Sequence, residues 1–600
     1  MAIGNWTKAV AGWLATTGGI LPPSLPQRMT NGNSLLGTLQ APKLPHYLDG
    51  PMVSGLPWGL ATTKNTDPYT QPPITGVIRS YTFNISRGMI APDGYLKSGM
   101  IINDQFPGPT IEANWGDTIQ VTVKNNIEGP EEGTTIHWHG ILQKTTPWMD
   151  GTPGGQQCPI APGKSFTYQF QADLYGTTWY HSHYSSQYAD GIFGPLIIHG
   201  PWDNTMGYDI DLGPVMLFDW YHNDYFSIVK QLVQSYPQGQ FPTLPKSDNT
   251  LINGKMYFNC SAAANGTSCT NDAGLSKFQF TSGKVHRLRL INSGSEAILK
   301  FSIDDHILQV IANDFVPINP YNTTVITLAV GQRTDILVYG SGDPSAAYWM
   351  RANLSSACST PAPTNKGALA VVYYEDADTN YKPNTSSYNI DLSNCDNDPL
   401  NETVPSYPLT PPEPDTTTTM VMTYEQNSTG SWNWLMDGIT FRADYNSPVL
   451  LLANQGNYSY PPEWNTINYG TNSSIRFIIQ NNSPISHPMH LHGHNVYVLN
   501  EGPGTWDGTI INPSNPQRRD VQDVLANGYL VIQMDADNPG LWSLHCHIAG
   551  HLSGGMAFNV LERPEDIRKN YQIPYVMAQT CRDWSAYTGN HIPDQIDSGI

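Results

Sequence analysis

The sequence is short of charge, shorter still of positive charge, and it has no long apolar run. Charged residues are 13% of the 600, with 30 Lys and Arg against 50 Asp and Glu. The formal charge of −20 argues against nucleic acid and anionic membrane as partners. After Leu21 no stretch is apolar enough to span a bilayer. Helical heptads are missing as well. What replaces them is 53 Gly and 48 Pro with abundant Thr, Asn and Tyr, the composition of an all-β protein with many turns. Six hundred residues exceed one core, so two to four domains are expected.

Cysteine is sparse and odd in number: Cys158, Cys260, Cys269, Cys358, Cys395, Cys546 and Cys581. Three disulfides leave one thiol over. Cys546 is the natural free one because it sits inside a histidine cluster. Three disulfides imply an oxidising compartment. Eleven Asn-x-Ser/Thr sequons after residue 80, among them Asn84, Asn259, Asn322, Asn401 and Asn481, point to N-linked glycans and secretion. The run Ala9 to Leu21, preceded by Lys8, reads as a signal peptide.

Residues 1–70 show little periodicity and read as leader and N-terminal extension. A first domain is expected over 71–203, opening with strand-like runs at Val77–Phe83 and Thr118–Val123. It carries Thr135-Ile136-His137-Trp138-His139-Gly140 and Trp179-Tyr180-His181-Ser182-His183. A second domain over 204–376 has strand-like runs at Val285–Leu290 and Val325–Leu328 but no His-x-His. Where the first has its second His pair, this one has Tyr348-Trp349-Met350-Arg351. Residues 377–415 are rich in Asn, Pro and Thr and read as a linker. A third domain over 416–600 carries His487-Pro488-Met489-His490-Leu491-His492 and the densest stretch of the chain, His545-Cys546-His547 with His551 and Met556. Trp542, His545-Cys546-His547 and Gly554-Gly555 echo Trp179, His181-Ser182-His183 and Gly191-Ile192-Phe193-Gly194, which suggests repeated domains.

On a strand, side chains alternate faces. Cys546 then points away from His545 and His547, so one thiolate and two imidazoles on opposite faces serve two centres. His490 and His492 share a face, and His487 lies an odd step from His490. A His₂Cys set with a weak axial Met suits copper that cycles between oxidation states. Structural zinc needs only four ligands and leaves most of these histidines unexplained.

Ten of the seventeen His fall in these four motifs, and the four occur in the order found in multicopper oxidases. From about residue 75 to the end, the chain resembles that family. The resemblance implies three cupredoxin-like Greek-key domains, each a β-sandwich or barrel, and four copper ions. It places type 1 copper on His487, Cys546, His551 and axial Met556, and type 2 on His137 and His490. One type 3 copper would take His139, His181 and His547, the other His183, His492 and His545. Electrons would enter singly at type 1 copper and pass through Cys546 to His545 and His547. Three clustered coppers would then reduce dioxygen to water.

Within the family the chain is most similar to laccases of the ascomycete type. The tail Asp597-Ser598-Gly599-Ile600 resembles the segment that plugs their solvent channel. Asp150 matches their acidic residue near type 2 copper, although an Asp before Gly is also a common turn. Glu296 aligns with the carboxylate that takes the phenolic proton. Met556 departs from the pattern, which usually has Leu there, and implies a low to medium potential. The expected disulfides are Cys158–Cys581, Cys260–Cys269 and Cys358–Cys395; the resemblance implies the first and third, and sequence alone does not fix connectivity. The expected protein is a secreted, monomeric laccase acting on phenols or aromatic amines. A multicopper oxidase for bilirubin, ascorbate or Fe(II) is the alternative, and a copper-storage protein without turnover is the reading outside enzymes.

Overall fold

A computed structural model describes residues 34–50, 55–130, 132–201, 207–591, 593 and 595–600. The Ala9–Leu21 run lies outside them. Among the described residues no helix is long and apolar enough to cross a membrane. The described residues form six β-sheets in three pairs, as expected of cupredoxin-like sandwiches. The first pair has two four-stranded sheets; the second and third each pair a six-stranded with a five-stranded sheet.

One three-strand unit recurs in each pair. In the first, Gly176–Ser182 lies between Ile136–Trp138 and Phe193–His199, antiparallel to both. In the second, Ala347–Leu354 lies between Leu299–Ile303 and Ala368–Tyr373. In the third, Gly540–Cys546 lies between His487–Leu491 and Ala557–Glu562. The echo between the two His-bearing segments is therefore an echo of strand position. In the middle pair the same strand carries Trp349 and Met350 instead of histidine.

Alternation along these strands sends apolar side chains into a core and histidines out of it. Ile136, Trp138 and Tyr180 pack inside the first sandwich, so His137 and His181 face outward. Met489, Leu491, Leu544 and Cys546 pack inside the third, so His490 and His545 face outward. The two outward faces meet, and every one of these histidines is buried.

The stretch around Cys546 is not one strand. The strand stops at Cys546, and a short helix, Ala549–Ser553, carries His551 back toward the thiol. Residues 377–415 form no helix and, until Thr416–Gln426 begins, no strand. They nonetheless pack tightly: Leu400 and Thr403 are buried, and Asn397 bonds to Glu501 and to the Asp523 carbonyl. Two helices late in the chain, Pro564–Asn570 and Tyr575–Thr588, escaped the all-β reading of composition. The three expected disulfides form, Cys158–Cys581 tying the first sandwich to the last helix. Cys546 is left free and buried.

Candidate metal centres

Register brings the paired histidines face to face. His137 lies directly opposite His181, and His490 directly opposite His545. Across the interface the rings stack: His137 on His492 at 3.9 Å between centroids, His139 on His490 at 4.0 Å. His492 and His545 approach to 3.0 Å between Nε2 atoms, and His547 Nε2 lies 3.2 Å from His139 Nδ1. Donor atoms of His183, His492 and His545 converge within 4.8 Å, and so do those of His137, His490 and His492. His137, His139 and His181 form a further convergent group.

The outer nitrogen of most of these rings is already spoken for. Backbone carbonyls of Asp150, Ser182, Asp520 and Cys546 take Nδ1 of His137, His181, His490 and His545 at 2.8 to 2.9 Å. Asp150 Oδ2 takes Nδ1 of His492 at 2.8 Å. An imidazole with an acceptor at one nitrogen carries its proton there and offers a lone pair at the other. The inner Nε2 atoms of His137, His181 and His490 and both nitrogens of His183 are buried without any hydrogen-bond partner. Burial also holds His139, His181, His183, His490, His492 and His547 well below the usual imidazole range, and His545 down to about 4. Neutral imidazoles with unpartnered, converging lone pairs are what a metal cluster requires.

On the other face of the same sheet, Cys546 Sγ stands 3.6 Å from Nδ1 of both His487 and His551. Those two Nδ1 atoms are 3.1 Å apart. Ser483 holds the far nitrogen of His487 at 2.8 Å. The Trp434 ring packs against both imidazoles at 4.7 and 4.5 Å. Burial brings His551 down to about 3 and pushes the Cys546 thiol up, so a bound cation is what would ionise it. His487 and Cys546 are fully buried and His551 is the more open ligand. Met556 is buried in the same core, its backbone bonded to Cys546 and His551.

Asp150 lies at the end of the short 3₁₀ helix Pro147–Met149, fully buried, with Oδ1 3.3 Å from His137 Nδ1. It is also a turn residue. Gly151 has φ +95°, and a Cβ there would lie 1.9 Å from the Ile136 carbonyl oxygen. The turn is the device that delivers the carboxylate. Glu296 is tied to the helix of His551 through its neighbour. The preceding residue, Ser295, accepts the Ala549 N–H at 2.9 Å, and Ala549 begins the helix of His551. Glu296 accepts hydrogen bonds from Tyr221 and Thr360, and burial pushes it up to about 7.

Sequence reasoning missed Asp520, Arg333 and Asp314. Asp520 Oδ1 accepts from His139 Nε2 at 3.1 Å, and Arg333 clamps both carboxylate oxygens. The available signal was the charged triplet Arg518-Arg519-Asp520 set among buried β residues. The tail is buried too. Ile600 packs with Phe441, Ala443, Leu552 and Ala557, and Asp597 accepts from Ser185 Oγ of the first sandwich at 2.5 Å.

This arrangement has relatives. Residues 84–203, 211–377 and 406–566 each match the multicopper oxidase family. The chain belongs to that family. It is 38% identical over 549 residues to Laccase-2 of Botryotinia fuckeliana, covering 89% of this chain and 91% of the relative. Dihydrogeodin oxidase of Aspergillus terreus is 35% identical over 576 residues, covering 89% and 92%. The crystal structure of a laccase from Botrytis aclada superposes with a TM-score of 0.82 at 35% identity, covering 90% of this chain and 100% of that one. As a multicopper oxidase the chain is a copper-dependent oxidoreductase, and its donor sets suit copper.

Proposed function

We propose that this oxidase is a secreted laccase that takes single electrons from phenols or aromatic amines and passes them to dioxygen. The observation that carries this reading is the sheet with two faces. His487, Cys546 and His551 converge on one, and eight imidazoles are gathered at the other, with Cys546 covalently joined to His545 and His547. Type 1 copper would be held by His487, Cys546, His551 and Met556, and type 2 by His137 and His490. The type 3 pair belongs to His139, His181 and His547 and to His183, His492 and His545. When bound, four coppers supply one-electron oxidation at the first site and four-electron reduction of dioxygen at the cluster.

The chain's residues supply the rest. Glu296 follows Ser295, whose carbonyl anchors the helix of His551; its carboxyl, pushed up to about 7, takes the phenolic proton as the donor loses its electron. Asp150 touches His137 and His492 and holds a proton-accepting carboxylate beside the oxygen-reducing site. The buried tail closes the approach between the first and third sandwiches and keeps bulk solvent out. Three domains are placed at 71–203, 204–376 and 416–600, with 377–415 linking the second to the third. The sequons carry N-linked glycans, and the protein works as an extracellular monomer.

The likeness to dihydrogeodin oxidase favours a second donor class, organic substrates of secondary metabolism, at the same site. Oxygen uptake by copper-loaded protein with a simple phenol, a polycyclic phenol, a bilin, ascorbate and Fe(II) tests the proposal. A phenol consumed at four electrons per dioxygen is the expected result. Activity confined to ascorbate, bilin or Fe(II) would refute it, and no uptake with any donor would favour the storage reading.

A further inference from the structure

The middle sandwich carries none of the convergent histidines, yet one of its corners is built into the oxygen-side cluster. That corner runs from Gly331 to Arg333, where strand Arg333–Tyr339 begins. Gly331 has φ +88°. A Cβ on it would lie 3.0 Å from His547 Cδ2 and 3.1 Å from His139 Cε1. The backbone of the middle sandwich therefore fits directly against two imidazoles, one from each neighbouring sandwich. Arg333 follows, fully buried. Its Nη1 and Nη2 donate to Asp520 Oδ1 and Oδ2 at 2.5 and 2.6 Å, and its Nε donates to the Thr177 carbonyl at 3.2 Å. One guanidinium thus spans all three sandwiches.

Asp314, also from the middle sandwich, locks the other side. Its Oδ1 accepts the Arg333 N–H at 2.9 Å, and its Oδ2 accepts the Asp520 N–H and Arg519 Nε at 3.1 Å each. Four buried charges in one network are expensive, and an apolar substitute often folds as stably. Such a network has to be explained by what it orients.

What it orients is His139. Four cluster imidazoles have Nδ1 tied to a carbonyl and present Nε2 inward. His139 is reversed: Asp520 takes its Nε2, and its Nδ1 faces His547. A carboxylate accepts and never donates, so it dictates which ring nitrogen carries the proton. Asp520 also forms a convergent group with His139 and His490. Arg333 occupies both of its oxygens, however, and places a positive charge where a metal ion would have to sit.

We infer that Asp520, clamped by Arg333, is a positioning residue that fixes His139 as an Nδ1 donor, and that the Gly331–Arg333 corner sets the spacing of His139 and His547. The inference rests on the copper assignment proposed above. It gives the ligand-free sandwich a part in oxygen reduction without a ligand of its own.

The test uses the full copper-loaded protein and two variants. Asp520→Asn keeps size but replaces one acceptor by a donor, so either His139 or Arg333 loses its partner. Gly331→Ala keeps every charge and wedges a methyl group between the rings. Copper per chain, EPR and the blue band of the thiolate site are measured alongside phenol kinetics. Both variants should keep the blue band and the KM for the phenol. They should lose about one copper per chain, or show extra EPR signal from an uncoupled pair, with kcat down at least tenfold. Four coppers with unchanged EPR and kcat in both would overturn the inference. So would loss of the blue band together with the pair, which would make Asp520 a brace of the whole fold. If the parent protein itself lacks four coppers and a blue band, the copper assignment fails, and not the positioning role alone.

Discussion

Glu296 shows how one side chain couples burial to chemistry. Its carboxyl rises from 4.5 to about 7 because it is taken out of water, with Thr360 opposing and Asp219 adding to the shift. A raised carboxyl binds its proton more tightly in the folded state. Its contribution to stability is therefore present below pH 4.5 and is lost as pH rises through about 7. Its capacity as a base follows the opposite course. The kcat/KM of a phenol should climb as pH rises through about 7, and Glu296→Gln should remove that limb and lower the value above it by about 10²-fold. Ferrocyanide gives up an electron and no proton, so its oxidation should barely change. Equal losses for both donors would mean that Glu296 only shapes the site. Met556 tests the other half of the reaction. Met556→Leu removes the thioether, and a redox titration of the blue band should show a higher potential. No rise would take Met556 out of the coordination shell.

At the scale of elements, the tail is a wedge held at several points. The Ser598 N–H bonds to the Ser553 carbonyl, the Ser598 carbonyl accepts from Ala443, and Tyr445 donates to the Gly599 carbonyl. Ile600 completes a small apolar cluster with Phe441 and Leu552. Deleting residues 597–600 should cost about 1.5–3 kcal/mol from the lost burial of Ile600 alone, read as a lower Tm. It should also speed the loss of copper to a chelator, because the deletion opens the seam between the first and third sandwiches. An unchanged rate of copper loss would show that the tail is only a fastener. The helix Ala549–Ser553 makes a related point. Strand periodicity placed Cys546 correctly, but it could not place His551, which reaches the thiol only because the chain turns from strand to helix after His547.

At the scale of the molecule, the eight-imidazole cluster lies at an interface. Its rings come from the first and third sandwiches, and the middle one closes a side of it. Metal bound there is bound only by the folded, assembled chain, so it stabilises the whole by mass action. Removing copper should lower Tm, and adding it back should restore Tm in a concentration-dependent way. A Tm indifferent to copper would place the metal elsewhere. The buried cluster histidines explain why such a site exists at all. Each sandwich alone would expose a face of neutral rings, and only docking removes both faces from water.

The sequence by itself determined the β character of the chain and which residues could carry metal chemistry. Period-two alternation put Cys546 on one face and His545 on the other, and four ordered motifs marked the histidines that the fold gathers. Cys546 was marked as the free thiol by its neighbours. The tertiary structure alone decided which ring nitrogen each histidine offers, because that depends on partners such as the Asp150, Ser182 and Asp520 carbonyls. It alone brought in Asp520, Arg333 and Asp314, which lie up to 206 positions apart and carry no motif. Local pattern fixes which way a side chain points. What it meets there is set by the packing of distant segments, and an ion pair between them leaves no period in the chain.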